Sequence, residues 1–209
     1  CCSMTVEALA AEFLRAIGIP ANMAGYRYLL SHGYDAGQIL LCGESAGGGL
    51  CYSLCMKLKE KGWPLPAGIV AISPWTDLTL SGDSYKRNKE ADPYMTKRRL
   101  KFYADCYAYG SKTVGKNTYP RVEADREKDR AFKSNPMLSP LFGDFSRMPP
   151  SLIFAGGDEV MLDDAGELHK KLHFPYLKCG ILVVAYSEEE IPALQKLYKQ
   201  GINNGVTGM

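Results

Sequence analysis

The chain has 209 residues, 46% hydrophobic and 23% charged, and its 25 basic and 23 acidic side chains nearly cancel to a formal net charge of +2. That length suits one core and is short for two, since domains usually run to about 100–200 residues, so a single domain over 1–209 is expected. The balanced charge excludes the footprint of a nucleic-acid or anionic-membrane binder, and the composition excludes disorder and fibrous structure.

Seven cysteines form neither CxxC pairs nor a Cys/His spacing suited to zinc. No disulfide framework and no metal site is expected, and a reducing, cytoplasmic setting is. No apolar run approaches the ~18 residues of a membrane helix, and no charged segment followed by an apolar one opens the chain. Neither a membrane span nor a signal peptide is expected. The first residue is Cys1, so a fragment of a longer protein is also expected.

Val6, Leu9, Ala10, Phe13, Leu14 and Ile17 recur at three- and four-residue spacing, which predicts a helix over Thr5 to Ile17, ended by Gly18 and Pro20. A second helix is predicted over Ala21 to Ser31, with turn chemistry from His32 to Gly37. Gln38 to Cys42 reads as a short buried strand. From Ala46 to Lys61 the pattern is helical again, with Leu50, Leu54 and Leu58 inward and Gly62 as the stop. Ala67 to Ile72, Ser151 to Ala155 and Gly180 to Ala185 read as further strands, and Asp163 to Leu172 as a helix. Alternating strand and helix means a parallel sheet with helices on its faces.

Trp75 to Met148 breaks this rhythm and is expected as an inserted, cap-like segment lying over the sheet. It holds one predicted helix near Thr96 to Tyr109 and a charged run from Arg121 to Lys133. The basic cluster Lys97, Arg98, Arg99 and Lys101 reads as a solvated helix face.

Gly43-Glu44-Ser45-Ala46-Gly47 is a G-x-S-x-G string, weak evidence alone. Its setting gives it meaning, because the string carries chemistry when it turns sharply from a strand into a helix and lifts the serine oxygen above the sheet. Leu40-Leu41-Cys42 precedes it and the Ala46 helix follows. Gly43 and Gly47 leave room for the turn, and the Ala46 amide at the positive helix end would face a developing oxyanion. A phosphate-binding turn is the competing reading, but the G-x-G-x-x-G spacing and the P-loop lysine are both absent.

Gly43 to Gly48, Ile72-Ser73-Pro74-Trp75-Thr76-Asp77, Ala91-Asp92-Pro93, Ser139-Pro140-Leu141 and the run Gly157 to Asp164 occur in one order. Together they resemble the hormone-sensitive-lipase-like branch of the α/β-hydrolase esterases, over about residues 24 to 172. The resemblance implies an α/β-hydrolase core and a Ser-Asp-His triad acting on small-molecule carboxylic esters, with no cofactor. Ser45 takes the nucleophile's position and Asp158, just past the strand that starts at Ser151, takes the acid's. Elementary chemistry makes the same demand, since a serine needs an adjacent imidazole that a carboxylate orients. Asp158 as a turn former, and Asp163 or Asp164 as helix caps, are the structural alternatives.

Three parts of the family pattern are missing. No histidine follows His173, and the other two are His32 and His169. No His-Gly-Gly-Gly loop precedes Ser45, and the strand expected before Tyr26 is absent. The expected function is hydrolysis of small acyl esters. The alternatives are a catalytically silent protein of the same fold and a flavodoxin-like nucleotide binder using the glycines after Ser45. Trp75, Tyr94, Phe102 and Tyr103 are expected as an apolar wall for the acyl group, or as plain core.

Overall fold

The computed structural model describes residues 18–114 and 117–173 and three single positions, 192, 195 and 199. The chain divides into two units, Cys1–Phe174 and Pro175–Met209, and the account below concerns the first. The predicted helix over Thr5 to Ile17 and the predicted strand over Gly180 to Ala185 lie outside the described residues.

Residues 18–31 are helical (α1). Gly18 and Pro20, expected to close a helix, are therefore inside one. Proline's locked φ suits helical backbone, and its missing N–H matters only where a carbonyl four residues earlier needs it. After a short 3₁₀ turn, Ala36–Gln38, come β1 (Leu40–Glu44), α2 (Ala46–Glu60) and β2 (Gly68–Ile72). Residues 75–148, expected as an inserted segment, then supply α3 (Ser84–Arg87), α4 (Lys97–Tyr109), β3 (Ser111–Val114), β4 (Asn117–Pro120) and α5 (Arg126–Lys133). A 3₁₀ turn at Pro140–Phe142, β5 (Ser151–Phe154) and α6 (Leu162–Leu172) complete the described chain. None of the described helices is long and apolar enough to cross a membrane.

The main sheet is parallel, in the order β1-β2-β5, with Cys42 opposite Val70 and Val70 opposite Leu152. Side chains alternate across such strands. On one face Ile69 and Ala71 are buried with Cys51, Tyr52 and Cys55 of α2 and Leu168 of α6, while Leu41 and Ile153 pack against them. α1 adds Met23 and Tyr26, which meet Ile39 and the α2 residues Leu54 and Leu58. The other face carries Leu40, Ile72, Leu152 and Phe154, all exposed.

The inserted segment is packed rather than loose. Trp75, Leu78, Leu80, Tyr85, Leu100 and Ala104 form one buried cluster with Val160 and Met161, which follow β5. Its charged run folds as α5, whose first turn is capped by the Asp125 carboxylate accepting from the Glu127 and Lys128 amides. Lys133 on α5 is buried, 2.5 Å from Asp105 of α4 and 2.8 Å from Asp129. Lys101 reaches the second Asp105 oxygen at 2.8 Å.

Candidate active site

The site is built where β1 ends. Ser45 has φ 52° and ψ −120°, a region that non-glycine residues avoid and that costs about 1–3 kcal/mol. The surrounding backbone holds it there. Its N–H donates to the Ile72 carbonyl (2.9 Å), and its carbonyl accepts from the Trp75 N–H (2.9 Å) and the Gly49 N–H (3.2 Å). Ala46 opens α2, so its N–H belongs to the first helical turn, which has no carbonyl partner inside the helix.

The glycines divide by what surrounds them. A Cβ on Gly43 would collide with the Gly47 carbonyl oxygen, one on Gly49 with the Trp75 carbonyl oxygen, and one on Gly48 would lie 2.9 Å from Pro74 Cβ. A Cβ on Gly47 would meet nothing within 4 Å. Gly43 thus fits its expected role in the turn. Gly47 contributes its backbone, and Gly48 and Gly49 let α2 lie directly on the 74–75 backbone.

The second part of the site follows β5. Asp158 is exposed and accepts no hydrogen bond among the described residues. Its neighbour Glu159 turns the opposite way: Oε1 accepts from Ser73 Oγ (2.7 Å) and from the Gly156 N–H (3.0 Å). The other oxygen, Oε2, is buried with no partner among the described residues. A buried carboxylate oxygen without a donor is costly and therefore informative. Ser73 also has a positive φ of 45°, and its N–H donates to Phe154 O at 2.7 Å. Hydrogen bonds thus run along the sheet's C-terminal edge from Ser45 through Ile72 and Ser73 to Glu159. Sequence reasoning passed over Glu159 because it adjoins Asp158 in the same string, and only burial separates them.

The remaining motif residues hold loops. Asp164 is buried; one oxygen accepts from the Thr76 and Asp77 N–H groups (2.8 and 2.9 Å), the other from Tyr85 O–H (2.7 Å). Burial raises its pKa to about 7, aided by the nearby Asp77 charge and opposed by those donors. Tyr85 is pushed up in turn, by burial first and then by Asp164. Asp77 accepts from the backbone and side chain of both Thr79 and Ser81. Asp163 accepts from the Ser84 N–H and pairs with Arg87. Neither Asp163 nor Asp164 serves as the N-cap of α6, which is Met161.

The four wall candidates sit in different surroundings. Trp75 is 7% exposed within the inserted segment's cluster, its indole N–H donating to Asp77 O (3.2 Å). Tyr94 is 71% exposed, with the Arg99 guanidinium over its ring. Tyr103 packs against the Trp75 cluster and meets Phe102 edge-on.

His32 is exposed, stacks on Tyr28 and bonds the Tyr28 carbonyl, in the stretch that precedes β1. His169 and His173 lie in the last turn and at the C-cap of α6. At 1.5 Å rise per residue, that helix carries them on the order of 10–16 Å from the end that follows β5.

A family model described as alpha/beta hydrolase fold matches residues 16–183. An acetyl-hydrolase of Streptomyces hygroscopicus is 36% identical over 148 residues, which are 71% of this chain and 43% of that enzyme. An esterase of Acinetobacter venetianus is 28% identical over 163 residues, 78% of this chain and 48% of the relative. The crystal structure of an esterase from the bacterial hormone-sensitive lipase family superposes with a TM-score of 0.62 and 37% identity, over 74% of this chain and 46% of that one. The chain spans less than half the length of each of these three. Its parallel sheet, its strand-to-helix serine turn and these matches agree: the chain belongs to the α/β-hydrolase fold family, on the hormone-sensitive-lipase-like branch.

Proposed function

We propose that this chain carries the serine and the carboxylate of an esterase acting on small acyl esters. The reading rests on one observation above all: Ser45 is held at a strained positive φ between the end of β1 and the start of α2. In this scheme Ser45 Oγ attacks the acyl carbon while its proton passes to an imidazole. The Ala46 N–H and the positive end of α2 stabilise the oxyanion. The imidazolium then protonates the departing alcohol, and water, deprotonated by the same base, releases the acid and frees the serine.

Asp158 was expected as the orienting carboxylate, and we assign that role to Glu159. The need is for a carboxylate oxygen that is buried yet free to accept an imidazole N–H, which Oε2 of Glu159 meets. Among the described residues no histidine bonds the free Glu159 oxygen. That observation favours the second reading, a hydrolase-fold protein that binds without turnover.

Hydrolysis of p-nitrophenyl acetate, with and without added imidazole, separates the two. An esterase site lacking only its base predicts an imidazole-stimulated rate above the free-solution reaction, together with fluorophosphonate labelling of Ser45. Both should vanish in Ser45→Ala. A wild-type rate indistinguishable from Ser45→Ala under all conditions leaves the silent protein.

A further inference from the structure

Asn88 and Asp92 have no place in the scheme above, yet both end on the loop that carries Glu159. Asn88 is only 7% exposed, and its Nδ2 donates to two backbone carbonyls at once, Gly157 O (3.1 Å) and Glu159 O (2.8 Å). Asp92 divides its carboxylate. Oδ1 accepts from the Tyr94 and Met95 N–H groups, and Oδ2 accepts from the Val160 N–H at 2.9 Å. Ser84 adds a third hold, its hydroxyl donating to Val160 O (2.7 Å) and accepting from the Asp163 N–H (3.0 Å).

The backbone on both sides of the Glu159 Cα is therefore gripped by side chains of the inserted segment. Its carboxylate is gripped separately, by Ser73 Oγ and the Gly156 N–H. A Cβ on Gly156 would lie 2.8 Å from Glu159 Oε1, so the loop closes tightly around that carboxylate. Charge-assisted bonds from a carboxylate to backbone N–H groups are among the stronger ones a protein makes. A group that must orient an imidazole has to be fixed to within a fraction of an ångström.

We propose that Asn88 and Asp92 are positioning residues: the inserted segment acts as a clamp that sets the Glu159 carboxylate, and it does so through backbone atoms of residues 157 and 159–160. The proposal rests on the assignment of Glu159 as the acid. It gives the 88–92 stretch a task at the edge of the sheet that is distinct from covering a substrate.

The test is a double-mutant cycle on the full chain, read by Ser45-dependent p-nitrophenyl acetate hydrolysis in the presence of imidazole. Asn88→Ala and Asp92→Asn are each expected to lower kcat by roughly 10- to 100-fold with little change in KM, since an ångström of misplacement can cost about 10²-fold. In a Glu159→Ala background the same substitutions should add no further loss, because they act through that carboxylate. Amide hydrogen exchange gives a second readout: the Gly156 and Val160 amides should exchange faster in both variants while Ile69 and Ala71 in β2 stay protected.

Equal losses with and without Glu159, or unchanged exchange at Gly156 and Val160, overturn the proposal. A wild-type chain with no Ser45-dependent rate is a different result. It removes the esterase reading, and exchange still decides whether these two side chains hold the loop. If one variant fails to fold, the other carries the test, because each grips a different backbone atom.

Discussion

At the scale of single residues, two serines and a glycine define what the β1–α2 turn can tolerate. Ser45 and Ser73 both sit at positive φ, and each is tied to the backbone of a neighbouring strand, so the strain is held by hydrogen bonds rather than relieved. Gly43 and Gly47 look equivalent in the string Gly43-Glu44-Ser45-Ala46-Gly47, yet only Gly43 faces backbone where a Cβ would go. Gly43→Ala should therefore destabilise the chain by several times RT, of order 2–3 kcal/mol. Gly47→Ala should be neutral or raise stability by about 0.5–1 kcal/mol, because alanine favours the helix. Chemical denaturation of both variants checks this, and equal costs would mean the turn is not built as described. The carboxylates carry a second prediction: Glu159→Gln should lose far more Ser45-dependent activity than Asp158→Asn. The strand-to-helix turn at Ser45 was legible from sequence because its context, an apolar run before and a helical pattern after, is local. The burial of the Glu159 carboxylate was not, since nothing local distinguishes two adjacent acids and their burial depends on where Ser73 and the inserted segment come to lie.

At the scale of elements, β1, β2, β5, α2, α4 and α6 fall within two residues of their expected bounds, because each is a short apolar run or a strongly periodic one. The charged run from Arg121 to Lys133 was harder. Its helix, α5, forms around a buried cation, and the mate of Lys133 is Asp105, 28 residues earlier on α4. Lys133→Ala should cost about 3–5 kcal/mol by leaving Asp105 buried and short of a partner, while a Lys133→Met, Asp105→Leu pair should recover most of it. A small penalty for Lys133→Ala in urea unfolding would show that water reaches Asp105. Asp164 joins α6 to the loop after β2, and there the protonation state matters. Its pKa rises from about 3.8 to about 7 on folding, so the fold favours the protonated form. The stability this contributes is complete below about pH 4 and is lost as pH climbs to about 7. Asparagine can accept from the Thr76 and Asp77 N–H groups through its oxygen and donate to the Tyr85 oxygen. Asp164→Asn should hence gain on wild type as pH is raised from 4.5 to 8. Asp164→Ala should lose at every pH, because the buried donors are left unpaired at about 1–3 kcal/mol each. A wild-type minus Asp164→Asn difference that does not change with pH would refute the shift.

At the scale of the whole molecule, the sheet is asymmetric among the described residues. A parallel sheet ordinarily has both faces covered, which is why its strands read as continuous apolar runs. Here α2 and α6 cover the face of Ile69 and Ala71. The register brings Leu40, Cys42 and Glu44 together with Val70, Ile72, Leu152 and Phe154 on the other. Leu40 is 66% exposed, Leu152 53%, Phe154 46% and Ile72 40%. The sequence pattern predicts helices on both faces, and apart from Glu44 the residues on this face are as apolar as that requires, yet Leu40, Ile72, Leu152 and Phe154 stay exposed. Apolar surface gathered in this way binds hydrophobic dyes and promotes association. The isolated chain should enhance anilinonaphthalene-sulfonate fluorescence without denaturant and sediment as a concentration-dependent mixture. Leu152→Lys with Phe154→Lys should suppress both while leaving the denaturation midpoint nearly unchanged, because charges on an already solvated face displace no packing. Charges placed instead at Ile69 and Ala71, inside the α2 layer, should abolish folding. If the double lysine variant also unfolds, that face is packed against something, and the one-sided sheet drawn from these exposures is wrong.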